Sequence, residues 1–184
     1  MKFTTLSIPD VIQIDLKCYT DERGFFVETY QEEVFSRAGV RAHFVQHNHS
    51  LSHRGVLRGL HYQIQQAQGK LMRIVSGETF NVAVDLRRQS STFGKWVGIR
   101  LSAGNKLQLW IPAGFAHGFY ALEEPTELLY EVTDFYAPRW ERTIIWNDPD
   151  LEIQWPLLDG MPPILSPKDA QGKNFRDAEI YEES

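Results

Sequence analysis

The sequence predicts an all-β fold, a sandwich or barrel with short helices at the periphery, and three features carry that expectation. Short runs rich in β-branched and aromatic residues recur at intervals of about ten. Gly, Pro, Asn and Asp punctuate them, as they do in sandwiches and barrels. In the best-formed run, ETFNVAVDL, the apolar residues Phe80, Val82, Val84 and Leu86 alternate and so share one face.

Taken in order, GFFVETY (24–30) is the first clear strand, and QEEVFSRAG (31–39) is the one helical stretch, with Gly39 as its C-terminal stop. Strands follow at VLRGLHYQI (56–64), KLMRIVSG (70–77), ETFNVAVDL (78–86), KWVGIRLS (95–102), KLQLWIP (106–112), HGFYAL (117–122) and TELLYEVTDFY (126–136). Gly77-Glu78 and Ala103-Gly104-Asn105 are expected to turn between paired strands. The proline-rich stretch WPLLDGMPPILSPKD (155–169) has no period and reads as an ordered wrap around the barrel, while the acidic end AEIYEES (178–184) is expected to fray.

With 42% hydrophobic residues, no internal repeat and no linker, the 184 residues read as one domain, 1–184, able to bury roughly 70% of its unfolded surface. A formal net charge of -5 argues against nucleic acid as a partner, so any anionic ligand must be held by local cations. The single cysteine, Cys18, can build neither an internal disulfide nor a thiolate cluster. No apolar run approaches the ~20 residues of a membrane span, and the expected setting is soluble and cytoplasmic.

Five of the six histidines fall between His43 and His61, which raises the possibility of a metal site. GVLRGLHYQ followed by IPAGFAHGF resembles the two-part signature of the cupin superfamily, which implies a jelly-roll barrel. Gly55 and His61 fit its first half, and Pro112, Gly114 and His117 its second. Metal-binding cupins add a second histidine and a glutamate, where this chain has Gln63 and Gln68. Glutamine replaces neither well around a transition metal, so no metal is expected.

The chain resembles the dTDP-4-dehydrorhamnose 3,5-epimerase family along most of residues 20 to 170. The matching stretches are DERGFFVE, FVQHNHS, RGVLRGLHYQ, QGKL, WIPAGFAHGF, LLYEVTDFYAP, WNDPDL, IQWPL and LSPKDA. The resemblance implies a cofactor-free homodimer that inverts C3 and C5 of dTDP-4-dehydro-6-deoxyglucose. Histidine, with an ordinary pKa of ~6.5, suits abstraction of the acidified C–H beside a ketone, and a phenol of pKa ~10 can return a proton from the other face. By resemblance His61 is that base, Asp169 the carboxylate behind it and Tyr130 the acid. Arg58, Lys70 and Lys168 match cations that contact substrate, and His117 a donor near the sugar or phosphates. Gln46, His47 and Asn48 match the nucleotide pocket, Tyr136 the aromatic that stacks on thymine, and Glu141 completes the set. Arg23 and Glu28 match residues that reach the nucleotide from the partner subunit. The chain departs from the family pattern at His47, where an acid is usual, and after Asp169, where it reads AQGKNF. Alternatives are a sister enzyme inverting only C3 or C5 or shifting the ketone, a metal-dependent cupin, and a non-catalytic sugar-binding module.

Overall fold

The structure, a computed structural model, describes residues 1–182. Its strands are β1 (Lys2–Thr5), β2 (Ile12–Asp15), β3 (Cys18–Asp21), β4 (Gly24–Val27), β5 (Gln46–Ser52), β6 (Leu57–Gln63), β7 (Lys70–Ser76), β8 (Glu78–Asp85), β9 (Trp96–Ser102), β10 (Leu107–Ile111), β11 (Phe115–Ala121), β12 (Thr126–Val132) and β13 (Glu141–Thr143). Two short helices, α1 (Glu32–Arg37) and α2 (Pro167–Ala170), lie outside them. One sheet runs β1-β2-β10-β7-β12-β5 and faces another of order β13-β6-β11-β8-β9, with β3-β4 as a separate ribbon. From β5 onward the chain crosses between the two sheets at almost every connection, β8 to β9 being the exception. This is the predicted jelly roll.

That crossing corrects one expectation. Gly77 and Ala103–Asn105 do turn, but β7 and β8, like β9 and β10, lie in different sheets, so both turns are corners and not hairpin loops. Strand patterning alone also misses β1, β2, β3, β5 and β13. Four of these are only three or four residues long, and β5, QHNHSLS, is almost wholly polar.

Three apolar layers follow from the pleat. Between the sheets lie Met72, Ile74, Leu109, Ile111 and Leu128 from one side and Ala83, Phe115 and Phe119 from the other. Outside the smaller sheet, Leu57, Leu60, Val82, Val84 and Leu86 meet the C-terminal wrap at Ile144, Leu151, Ile153 and Trp155. Both faces of β8 are therefore covered, and each such buried side chain contributes roughly 1.5–3 kcal/mol. The third layer packs Ile14, Leu71 and Trp110 under Phe35 of α1, which ends at Gly39 with φ +91° as predicted.

The acidic end does not fray over its described part. Tyr181 packs edge-on to Tyr62, donates its hydroxyl to Gln63 O, and exchanges backbone bonds with Leu86 and Arg88. Only Glu183 and Ser184 lie outside the described residues. After Asp169 the chain runs back along β13, with Ile145 and Lys173 joined N–H to O at 2.9 Å.

The two corners differ in tolerance. Gly77 has φ +73°, and a Cβ there would sit 2.5 Å from Thr126 Oγ1 and 2.7 Å from Pro125 O, whereas at Gly104 the nearest atom is 3.7 Å away. Gly77→Ala is expected to lower stability by about 2 kcal/mol or more, and Gly104→Ala by less than about 0.5 kcal/mol, in parallel urea titrations.

Candidate active site

A cavity of about 340 Å³ opens between the sheets, walled by β5, β7 and β12 on one side and by β6 and β11 on the other. Cross-strand register stacks its wall in rows: Gln46, Val132 and Lys70, then Asn48, Tyr130 and Met72, then Ser50, Leu128 and Ile74. Facing them, His117 stands opposite His61, and Phe119 opposite Arg58. Between those two pairs β6 advances three residues while β11 advances two, a bulge at Gly59-Leu60. Without it, Arg58 and His61 would point to opposite faces; with it, both enter the cavity.

His61 is only partly exposed, and its Nε2 bonds Asp169 Oδ1. Asp169 is 2% exposed on α2, whose cap Ser166 accepts from the Asp169 amide at 3.1 Å and donates to Oδ2 at 2.7 Å. Burial opposes ionisation of Asp169. The His61 bond and charge, with Ser166 and the Gly59 amide, outweigh it and hold the carboxyl below its ordinary range. An ionised Asp169 makes Nε2 the protonated nitrogen, so Nδ1 carries the lone pair that can take a proton.

Tyr130 comes from the other sheet. Desolvation raises its pKa, partly offset by Arg58, so the phenol stays protonated at neutral pH. Arg58 is anchored through Nε to Ser52 Oγ at 3.0 Å and through Nη2 to Leu51 O at 3.0 Å. His117 is buried, and desolvation with the charges of Lys70 and His61 keeps its ring neutral; Nε2 lies 3.3 Å from Asn81 Oδ1. At the mouth, Glu141 accepts from Lys168 at 2.8 Å and from the exposed Tyr136 hydroxyl at 3.0 Å. Gln46 takes the Tyr136 amide at 3.0 Å and donates to Asn48 at 2.7 Å.

Ten of the expected residues thus line one cavity, with Asp169 directly behind it. Three do not. His47 is one step out of phase with Gln46 and Asn48, so the pleat turns it outward, with its side chain 70% exposed and 3.7 Å from Glu131. Arg23 sits at the tip of the β3-β4 ribbon, paired with Asp21 at 2.6 Å, and Glu28 is exposed just beyond β4. Pattern reading passed over Ser50, Gln68, Phe119 and Leu128 as site residues. Ser50 shares the parity of Gln46 and Asn48, and Phe119 that of His117, which is the signal that would have found them. Gln63 ties loops together, donating to Gln66 O at 2.7 Å and accepting from Ala137 N at 2.7 Å. Among the described residues no three His, Cys, Asp or Glu side chains group as a metal ion requires. No helix among them is long and apolar enough to cross a membrane.

Lys70 yields a pH test. Desolvation, with Lys168 adding to it and Glu141 opposing it, pushes its amine from 10.5 down to about 8. Between those values the unfolded chain holds a proton that the folded one lacks, so this group's contribution to stability rises with pH across the window. Lys70→Met is expected to stabilise the free protein at pH 7 by on the order of 1 kcal/mol, an advantage that shrinks from pH 8 to 10.5 in chemical denaturation. A constant difference across that range would mean the amine is not desolvated.

Residues 5–177 match the family model described as dTDP-4-dehydrorhamnose 3,5-epimerase. The enzyme of that name from Pseudomonas aeruginosa is 62% identical over 98% of this chain and 99% of its own length. The Legionella pneumophila dTDP-6-deoxy-D-glucose-3,5-epimerase, solved in complex with dTDP-4-keto-L-rhamnose, superposes with a TM-score of 0.95 at 46% identity, covering 100% of this chain and 98% of that one. A 3'-monoepimerase from Streptomyces bikiniensis in complex with dTDP-quinovose gives 0.85 at 34% identity, covering 92% and 86%. Placed beside a histidine–carboxylate pair that faces a tyrosine across the barrel, these likenesses settle the family: the chain belongs to the dTDP-4-dehydrorhamnose 3,5-epimerases.

Proposed function

We propose that the chain, as one domain, converts dTDP-4-dehydro-6-deoxy-D-glucose to dTDP-4-dehydro-L-rhamnose by inverting C3 and then C5, or the reverse order. The observation that carries this reading is the pairing of His61, backed by an ionised Asp169, with a protonated Tyr130 on the opposing sheet. His61 Nδ1 removes the proton from carbon, and the bonding pair moves into the ring to leave the charge on the C4 oxygen as an enolate. Lys70 and Arg58 stabilise that oxygen, an electrostatic effect strengthened by the half-buried site. Tyr130 delivers a proton to the opposite face of the same carbon, the enolate collapses to the ketone, and exchange with water resets base and acid. Lys168, Glu141, Gln46, Asn48 and Tyr136 hold the diphosphate and thymine at the mouth, and His117 binds as a neutral donor or acceptor.

The same reading makes the enzyme a cytoplasmic homodimer. On one face of the β3-β4 ribbon Tyr19 and Phe26, 53% and 68% exposed, pair with ring centroids 6.5 Å apart, and on the other face Phe25 is 60% exposed, apolar surface that a second copy would cover. Arg23 and Glu28 then lie over the partner's cavity, so each site draws on both chains.

A second reading, inversion at C3 alone, is favoured by the likeness to the monoepimerase. Incubation with substrate in deuterated water, without added metal, separates the two: deuterium is expected at both C3 and C5, and label at C3 alone would select the second. His61→Ala is expected to abolish exchange at both carbons, whereas Tyr130→Phe should still exchange but form little inverted product. Parent-rate turnover by Tyr130→Phe would assign the acid to another group.

Mixing His61→Ala with Arg23→Ala protein tests the shared site. If subunits exchange freely, half the dimers are mixed and each rebuilds one intact site, so activity should return to roughly a quarter of the parent's. Two inactive variants that exchange subunits, verified by mass, and still show no turnover would overturn the proposed contribution of Arg23.

A further inference from the structure

Among the described residues, two buried side-chain polar atoms have no hydrogen-bond partner, Ser50 Oγ and Gln108 Oε1. Gln108 is remote from the cavity, but Ser50 lines it. A buried oxygen left without a partner leaves its desolvation uncompensated, so its presence on a cavity wall asks for a ligand atom as the missing partner.

The position of Ser50 says which part of a ligand that is. The cavity runs from a mouth at Tyr136, Glu141 and Lys168, which are partly exposed, inward to Leu128 and Phe119, which are 2% and 5% exposed. Ser50 is the cross-strand partner of Leu128 and stands two strand positions deeper than Asn48, so it belongs to the floor. With the diphosphate at the mouth, the anomeric carbon of the hexose points outward. The ring atoms that reach the floor are those farthest from it, C3 and C4 with their oxygens. On the proposed reading of the reaction, we infer that Ser50 is a specificity residue whose hydroxyl hydrogen-bonds the hexose oxygen at C3 or C4. Its Oγ, shielded in the free protein, has no bond to lose when it turns about χ1 among its staggered positions to meet that oxygen.

The test uses stable ligands that lack the ketone. Binding of dTDP and of dTDP-6-deoxy-D-glucose is measured by calorimetry for the parent and for Ser50→Ala, with thermal melting of both free proteins. Ser50→Ala is expected to weaken the sugar-bearing ligand about three- to tenfold while leaving dTDP unchanged, and to melt no lower than the parent, because it removes an unpartnered hydroxyl. The 3-deoxy and 4-deoxy analogues identify the oxygen: the one that binds parent and variant alike has lost the atom Ser50 holds. Equal weakening of dTDP and the sugar-bearing ligand, or no weakening of either, overturns the assignment. A parent that binds neither ligand would instead overturn the reading of the reaction itself, and this assignment with it.

Discussion

A β-carbon on Gly59 would lie 2.4 Å from Gly118 Cα and 2.8 Å from His117 O, so β6 and β11 meet here only as glycine against glycine. The same residue has φ +129°, a conformation that L side chains rarely adopt. This contact allows β6 its extra residue, and the extra residue brings Arg58 and His61, positions of opposite parity, onto one inner face. In an unbulged strand one of the two would point into the outer apolar layer beside Leu57 and Tyr62. A guanidinium and an imidazole within one cavity thus depend on two missing side chains.

The second constraint comes from the far end of the chain. Asp169 is 108 positions from His61, and the short helix α2 that carries it is a poor platform for a carboxylate paired with that ring unless something fixes it. Here the C-terminal wrap is fixed by apolar burial: Ile144, Leu151, Ile153 and Trp155 close the outer face of the smaller sheet, and Leu165 packs on the same layer. Backbone bonds from Leu57 to Ile164 O at 3.0 Å and from Ile164 to Gly55 O at 2.9 Å bring the strap to the start of β6. The wrap that covers the core therefore also delivers Asp169 to the back of His61, and loss of outer packing would loosen that pair as well as the fold.

Much of this was legible in the residues. Alternation gave β8 its buried face, and the parity of Gln46 and Asn48 against His47 follows from the pleat once β5 is known to be a strand. The sheet crossings were not legible, because a glycine at a corner and a glycine in a hairpin look alike in sequence; what separates Gly77 is Thr126, some 50 residues away, pressing on it. The bulge was hidden for a similar reason, since RGLHYQ read with strict period two places Arg58 and His61 on opposite faces. The path after Asp169, through AQGKNF, is set by backbone pairing of Lys173 with Thr143 and Ile145, and pairing of that kind leaves no mark on composition.

The cavity gathers features that each oppose folding. Lys70 is desolvated enough to bring its amine down to about 8, His117 is held neutral beside two other basic groups, and Ser50 has no partner. In a chain of net charge -5, Arg58, Lys70 and Lys168 stand around one space with Glu141 as the counter-charge among them. A neutral ligand would relieve little of this. An anionic nucleotide sugar relieves most of it: its negative charge would favour the protonated amine of Lys70, and its sugar oxygens offer the hydrogen bond that Ser50 lacks. Binding energy and folding energy are therefore linked through the same few side chains. On the proposed mechanism, a site that stabilises charge on a C4 oxygen has to carry that arrangement, unrelieved, whenever it is empty.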